Sequence, residues 1–313
     1  MAQPAIVTTA RGLVLVIPWL IWLLVADIIL SLLLVARAVL SPTAVYNLSS
    51  HTAASVWLWI QHIFETANGA EITTSGDPLP RAESAIVVAN HVAWADFYMI
   101  QHLAVRSGML GRCRYFAKAQ LKRVPFLGWG LWAMGMPLVT RKWAHDRREL
   151  DRVFGGIAKG RWPIWLISYS EATRFTPRKH AESQAWCAAN GRPQPRHLLY
   201  PRTKGFVATV RHLRAAAPHV RAVYDLTIAY ADHTGQFGAA PSMWETLSAP
   251  GLSAAAGTGG EGYRFHVHAR RFPLEDLPPS DEELAAWLES RWVEKGEWLE
   301  GKRLEWAASP AEG

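Results

Sequence analysis

Cysteine is nearly absent from this 313-residue chain, with Cys113 and Cys187 the only two. They make no CxxC pair and no zinc-ligand spacing, which excludes a disulfide framework and leaves no metal centre to expect. Charge is sparse as well: 19% of residues are charged, below the quarter or so usual in soluble domains. No internal repeat is present. No face of clustered Lys and Arg carries a nucleic-acid-binding motif, so no nucleic-acid partner is expected. What the chain does have is apolar and aromatic. Half of it is hydrophobic and 16 residues are Trp, a side chain suited to boundaries between apolar and wet surroundings. A formal charge of +7 suits an anionic partner such as a lipid headgroup or a phosphate. The length allows one large domain or two small ones, with a sizeable core.

The apolar run 13–35 contains a single charge, Asp27. It is long enough to cross a bilayer core of about 30 Å and too long for the apolar region of a cleaved signal peptide. Pro18 inside it is tolerated in a membrane helix, and Asp27 is expected to face a partner. Arg11 and Arg37 flank the run on opposite sides, so the distribution of positive charge sets no orientation. Segment 45–64, with Trp57, Trp59, Ile60 and Phe64, predicts an amphipathic helix lying in the membrane plane. The polar stretch 73–81, holding Gly76, Pro78 and Pro80, predicts a linker. No second membrane span is read from the sequence.

Beyond residue 84 strand and helix patterns alternate. Segments 85–89 and 164–167 are short, continuous apolar runs typical of strands buried on both faces. Segments 223–230 and 263–269 predict two further strands, and 146–159 and 205–217 predict helices. Repeated strand and helix imply an α/β domain whose sheet is mixed but mostly parallel and flanked by helices. Segment 251–262 is rich in Gly, Ala and Ser and predicts a loop. The expected organisation is a membrane anchor over 1–72, a main domain over 73–275 and an amphipathic helical tail over 276–313.

Four blocks can carry chemistry. The first is 90–96, Asn-His-Val-Ala-Trp-Ala-Asp, directly after a buried strand, where ligands of open α/β sheets gather. His91 can act as a general base near neutral pH, and Asp96 can fix its tautomer. Five positions along an ideal helix turn through about 500°, so the two side chains cannot meet on one continuous helix. They can meet if His91 lies in a turn and Asp96 opens the helix behind it. The second block is 170–174, with Glu171, Thr173 and Arg174 after the second buried strand. It reads either as an Arg fork for a phosphate, held by Glu171, or as a structural Glu–Arg pair. The third is 200–206, with Arg202 and Lys204 before a helix, either an anion site or a basic turn. The fourth, 118–141, mixes Lys118 and Arg141 with aromatic and apolar residues, which suits an acyl chain beside a phosphate or a helix resting on lipid. His266 and His268 lie two apart on a predicted strand with no third ligand nearby and read as structural.

These blocks resemble the glycerolipid acyltransferase family, which includes 1-acylglycerol-3-phosphate acyltransferases. Block 90–96 matches its NHxxxxD motif, 137–141 its hydrophobic-x-Arg block, 171–174 its EGTR motif and 200–206 its Pro-containing block. The strings at 115–118, 125–129 and 201–206 are most similar to the eukaryotic branch that contains lysocardiolipin and lysophosphatidylinositol acyltransferases. The resemblance implies acyl-CoA as co-substrate without a further cofactor or metal, and a lysophospholipid acceptor in a membrane. His91 and Asp96 would be catalytic; Glu171, Thr173, Arg174, Lys118, Arg141, Arg202 and Lys204 would bind substrate, with Glu171 supporting Arg174. The implied reaction acylates the sn-2 hydroxyl of lysophosphatidic acid to give phosphatidic acid. Lysophosphatidylinositol and monolysocardiolipin are alternative acceptors, and an inactive lipid-binding scaffold is the alternative of another class. The implied location is the endoplasmic reticulum, with mitochondria second. One departure stands out: Ala172 replaces the family's Gly. A position needing positive φ would strain Ala; a position needing only a small residue would not.

Overall fold

The computed structural model describes residues 5–124, 127–140, 143–253 and 262–308. The predicted loop 251–262 therefore lies mostly outside the described residues. Six strands form one sheet: β1 (Ile72–Gly76), β2 (Ser84–Ala89), β3 (Cys113–Tyr115), β6 (Trp165–Tyr169), β7 (Val220–Ala231) and β8 (Arg264–Pro273). Their order is β1-β8-β7-β2-β6-β3. Every pairing is parallel except β7 with β8, so the sheet is mixed and mostly parallel. A separate two-stranded parallel pair joins β4 (Ala117–Lys118) to β5 (Leu138–Val139).

Side chains on a strand alternate between faces, and β2 shows what each face meets. Ala85, Val87 and Ala89 enter one core with Ile60, Phe64, Tyr98 and Met99. Those residues come from α2 (Pro42–His62), the helical turn after it, and α3 (Asp96–Arg106). Ile86 and Val88 enter a second core with Leu150, Phe154, Val210, Leu288 and Trp292, supplied by α5 (Trp143–Gly160), α7 (Thr203–Ala216) and α9 (Asp281–Ala308). Burial on both faces explains why β2 lacks any polar alternation. Helix α9 is thus part of the core, with Leu284, Leu288, Trp292 and Leu299 buried in it, and not an appendage.

Two expectations need correction. Segment 73–81 is not simply a linker, because Ile72–Gly76 is the edge strand β1. The hydroxyl of Thr73 bonds His266 Nδ1 at 2.7 Å, and that of Ser75 bonds His266 Nε2 at 2.8 Å and His268 Nδ1 at 2.9 Å. The strand is held by hydroxyl–imidazole contacts, which hydrophobic periodicity does not register. Second, Ile60 and Phe64 do not face a membrane; both are buried against the sheet, and Leu48, Leu58 and Trp59 form the outward side of α2. The apolar run expected as a membrane anchor forms helix α1 (Ala5–Ala36), which also packs on the domain.

Among the described residues, α1 is the one helix long and apolar enough to cross a membrane. It is tied along its length. Arg11 donates to Asn68 Oδ1 and to the Ser248 carbonyl, both at 2.7 Å. Trp19 and Trp22 donate to α2 at the Val56 carbonyl (3.1 Å) and Ser55 Oγ (3.0 Å). Arg37 donates to the Ala133 carbonyl at 3.3 Å. At Gly12 an added Cβ would lie 2.5 Å from Ser248 Cβ, so glycine permits α8 (Met243–Ser248) to approach. The opposite face bares Ile6 (82% exposed), Val14 (72%), Ile21 (59%) and Val35 (75%), a stripe at helical spacing.

Candidate active site

The parallel strands deliver their C-terminal ends to one edge. Strand β2 stops at Ala89, but its line is continued by a side chain. Asn90 Nδ2 donates to the Ile228 carbonyl at 3.0 Å, and its Oδ1 accepts from the Ile228 amide at 2.8 Å. The buried carboxamide imitates one more backbone pair with β7 and fixes where the chain turns. Sequence reading placed Asn90 in the motif without giving it this role.

His91 follows in the turn. Its Nδ1 lies 2.7 Å from Asp96 Oδ2, and Asp96 opens α3, the arrangement that the spacing argument required. Asp96 is fully buried, so its carboxylate needs several donors. Oδ2 accepts from the amides of Val92 (2.7 Å) and Ala93 (3.1 Å), and Oδ1 accepts from the Tyr230 hydroxyl at 2.8 Å. Burial and the facing Asp96 raise the Tyr230 phenol well above its usual range, keeping it protonated as a donor. An acceptor-only partner sets the proton on His91 Nδ1 and leaves the Nε2 lone pair free. The imidazole is clamped from one side by Tyr169, stacked at 4.1 Å and 12°.

Two later segments are bound to this turn. The Phe175 amide donates to the His91 carbonyl at 2.7 Å, which brings Arg174 beside His91. The Arg202 amide donates to the Ser170 carbonyl at 2.7 Å, which brings the start of α7 to the same edge. Arg174, Arg202 and Lys204 are exposed. Among the described residues the Arg174 guanidinium has no hydrogen-bond or ion-pair partner. Thr173 Oγ1 instead accepts from Lys179 Nζ at 2.7 Å, and the same ammonium donates to the Arg174 carbonyl at 3.1 Å. Lys179, on α6 (Pro177–Ala189), was missed by sequence reading; its interest shows only through this fold-back. Lys118 is exposed on β4, one short step beyond the end of β3. Arg141 lies outside the described residues.

Glu171 corrects an expectation. It is buried and makes no ion pair with Arg174. Its Oε1 accepts from Trp292 Nε1 of α9 at 3.4 Å, with the His91 and Leu199 backbone amides nearby. Burial raises its carboxyl well above the usual range, against the lowering effect of Trp292. Glu171 therefore turns into the core towards α9 and gives Arg174 no support. Ala172, next to it, has φ +59°, and its amide donates to the Tyr169 carbonyl at 2.9 Å. The position does demand a left-handed backbone, so Ala is strained there.

A family model described as Acyltransferase matches residues 71–231, and one described as Acyltransferase C-terminus matches residues 258–301. The chain belongs to the Acyltransferase family. The chain is 34% identical over 237 residues to the 1-acyl-sn-glycerol-3-phosphate acyltransferase delta of Homo sapiens, covering 74% of this chain and 58% of that one. It is 30% identical over 231 residues to the probable 1-acyl-sn-glycerol-3-phosphate acyltransferase 5 of Arabidopsis thaliana, covering 74% and 56%. The chain thus spans little more than half the length of these relatives. The crystal structure of the 1-acyl-sn-glycerophosphate (LPA) acyltransferase PlsC from Thermotoga maritima superposes with a TM-score of 0.49 at 14% identity, covering 94% of this chain and 98% of that one.

Proposed function

We propose that the protein transfers a fatty acyl group from acyl-CoA to the free sn-2 hydroxyl of lysophosphatidic acid. The observation that carries this reading is the His91–Asp96 contact of 2.7 Å, with His91 Nε2 open beside an unpaired Arg174. In the reaction the acceptor hydroxyl gives its proton to His91 Nε2 as its oxygen attacks the thioester carbon. The C–S bond then breaks, and the proton passes from His91 to the departing thiolate, giving phosphatidic acid and free coenzyme A. Asp96 holds the Nδ1 tautomer and stabilises the imidazolium. Arg174, with Arg202 and Lys204 on the same edge, holds the acceptor phosphate. The amides of Val92 and Ala93 are engaged by Asp96 and are unavailable to the oxyanion.

The outer stripe of α1 supports a position at a membrane, where a lysophospholipid acceptor would reside. The name of the human relative, which specifies a 1-acyl-sn-glycerol-3-phosphate acceptor, supports the choice of acceptor over lysophosphatidylinositol or monolysocardiolipin. The test is acyl transfer from labelled acyl-CoA to lysophosphatidic acid in membranes carrying His91→Ala. A positioned general base contributes about 10²- to 10⁴-fold, so a loss of that size is expected. Activity close to wild type would overturn the proposal.

A further inference from the structure

Where β2, β6 and β7 begin, at the edge of the sheet away from His91, there is a cavity of about 420 Å³. Five residue steps along β2, about 17 Å, separate its Ser84 from Ala89. Its lining includes Arg81, Arg161, Arg221, His219 and a single carboxylate, Glu83. Glu83 is already neutralised: Arg271 donates to it twice, at 2.8 and 2.7 Å, and the Tyr224 hydroxyl at 2.5 Å. Among the described residues the guanidiniums of Arg81, Arg161 and Arg221, all exposed, have no hydrogen-bond or ion-pair partner, although the charge of Arg221 acts on Glu83. Three guanidiniums beside one carboxylate that Arg271 and Tyr224 already engage leave an excess of positive charge, which an anion would offset.

His219 sharpens the chemistry. Its Nε2 lies 3.1 Å from the Trp162 carbonyl and so carries the ring proton. Its Nδ1 is a buried acceptor without a partner. Guanidiniums donate to phosphate oxygens, and an imidazole lone pair accepts from a P–OH. The combination suits a phosphate that retains a proton near neutral pH, which a monoester or pyrophosphate does and a diester does not. Two lining residues also hold left-handed backbones, Ala82 at φ +57° and Arg161 at φ +48°, a conformation that non-glycine residues adopt uncommonly. The rim is fastened to the start of α2. Trp162 stacks on Tyr46 at 4.5 Å and donates to Thr43 Oγ1 at 3.3 Å, and the Tyr46 hydroxyl donates to the Pro163 carbonyl at 2.6 Å. The cavity therefore lies close to the level where the apolar helix α1 ends, at Ala36.

We propose that this cavity is a second anion site, separate from the acyl-transfer centre, that takes a phosphomonoester or pyrophosphate group, from the headgroup of a membrane lipid or from a soluble phosphate. The test uses the purified full chain in detergent micelles at low salt. Phenylglyoxal labels arginines, and mass spectrometry reads each one. Inorganic pyrophosphate, or micelles doped with phosphatidic acid, should slow labelling of Arg81, Arg161 and Arg221 roughly tenfold and leave Arg148 and Arg196 unchanged. Protection by phosphatidic acid alone assigns a lipid headgroup; protection by pyrophosphate assigns a soluble phosphate; phosphatidylglycerol, a diester, should protect neither way. His91→Ala must keep the protection, which separates this site from the catalytic edge. In direct binding, Arg81→Gln/Arg161→Gln/Arg221→Gln should lose saturable pyrophosphate or phosphatidic acid binding, and the charge-matched Arg148→Gln/Arg196→Gln/Arg211→Gln should retain it. Equal loss in both triple variants, or no protection of the wild-type arginines by either probe, would overturn the proposal.

Discussion

Replacing Ala172 with glycine should stabilise the protein and leave its chemistry intact. Ala172 stands at φ +59°, where the Cβ of an L residue crowds its own carbonyl, at about 1–2 kcal/mol. Glycine removes that strain but gives the unfolded chain more freedom, which offsets about 0.4–1 kcal/mol. A net gain of about 0.5–1 kcal/mol remains. A change of about 1 kcal/mol moves Tm by about 2–4 °C in chains of 150–250 residues, so a rise of about 1–3 °C is expected here. Ala172→Val is the counter-test, because a β-branched side chain tolerates positive φ worse than Ala. It should lower Tm and, by shifting the segment that carries Arg174, raise the acceptor KM. Ala82, at φ +57° and far from His91, is the internal control: Ala82→Gly should raise Tm similarly with no change in KM. Thermal unfolding followed by Trp fluorescence in detergent, alongside KM for lysophosphatidic acid, measures all three. A lower Tm in Ala172→Gly, or a Val variant indistinguishable from wild type, would refute the strain argument.

Further outcomes follow from the same geometry. Asp96→Asn keeps an acceptor for the Val92 amide but loses the charge that fixes the His91 tautomer. It should lower kcat about 10²- to 10⁴-fold with little change in KM, and steady-state kinetics within threefold of wild type would contradict the assigned role. Arg174→Ala should raise the acceptor KM far more than it lowers kcat; an unchanged KM would remove it from the phosphate site. Lys295 is buried beside Asp225 and donates to the Leu226 carbonyl at 2.6 Å. Lys295→Met should cost about 3–5 kcal/mol by leaving a buried carboxylate alone, and adding Asp225→Leu should recover most of it, as read by urea denaturation. Burial, and next the Lys302 charge, push His266 down to about 4. Between pH 6.5, its ordinary value, and about 4 the unfolded chain binds a proton that the folded chain refuses, so stability falls as pH drops through that window. His266→Gln should flatten the acid limb of the urea midpoint against pH; an unaltered limb would assign it to other groups.

What the sequence made legible was local. Strands β2 and β6 are unbroken apolar runs, and the rotation per residue alone forced His91 and Asp96 apart unless a helix began at Asp96. The rest depends on partners distant along the chain. Tyr230 reaches Asp96 across 134 positions and Trp292 reaches Glu171 across 121, and no periodicity links such pairs. The Glu171–Arg174 support failed for a related reason: closeness in sequence suggested an ion pair, while burial turned Glu171 towards α9. Strand β1 was hidden because Thr73 and Ser75 bond imidazoles at a sheet edge. At Ala172 the residue types posed the question, and only the backbone angle could decide it.

Helix α9 bears on the order of events during synthesis. Chains emerge N-terminus first and fold as they go, so α1 and the strands are available before the helix that carries Trp292 and Lys295 has been made. Until then Asp225 has no ammonium and Glu171 no indole N–H, and the face of the sheet that α9 covers is open to water. A nascent chain can therefore present α1 and pair His91 with Asp96 while the back of its sheet is still uncovered, and the core around Glu171 and Asp225 should close only when translation has delivered α9.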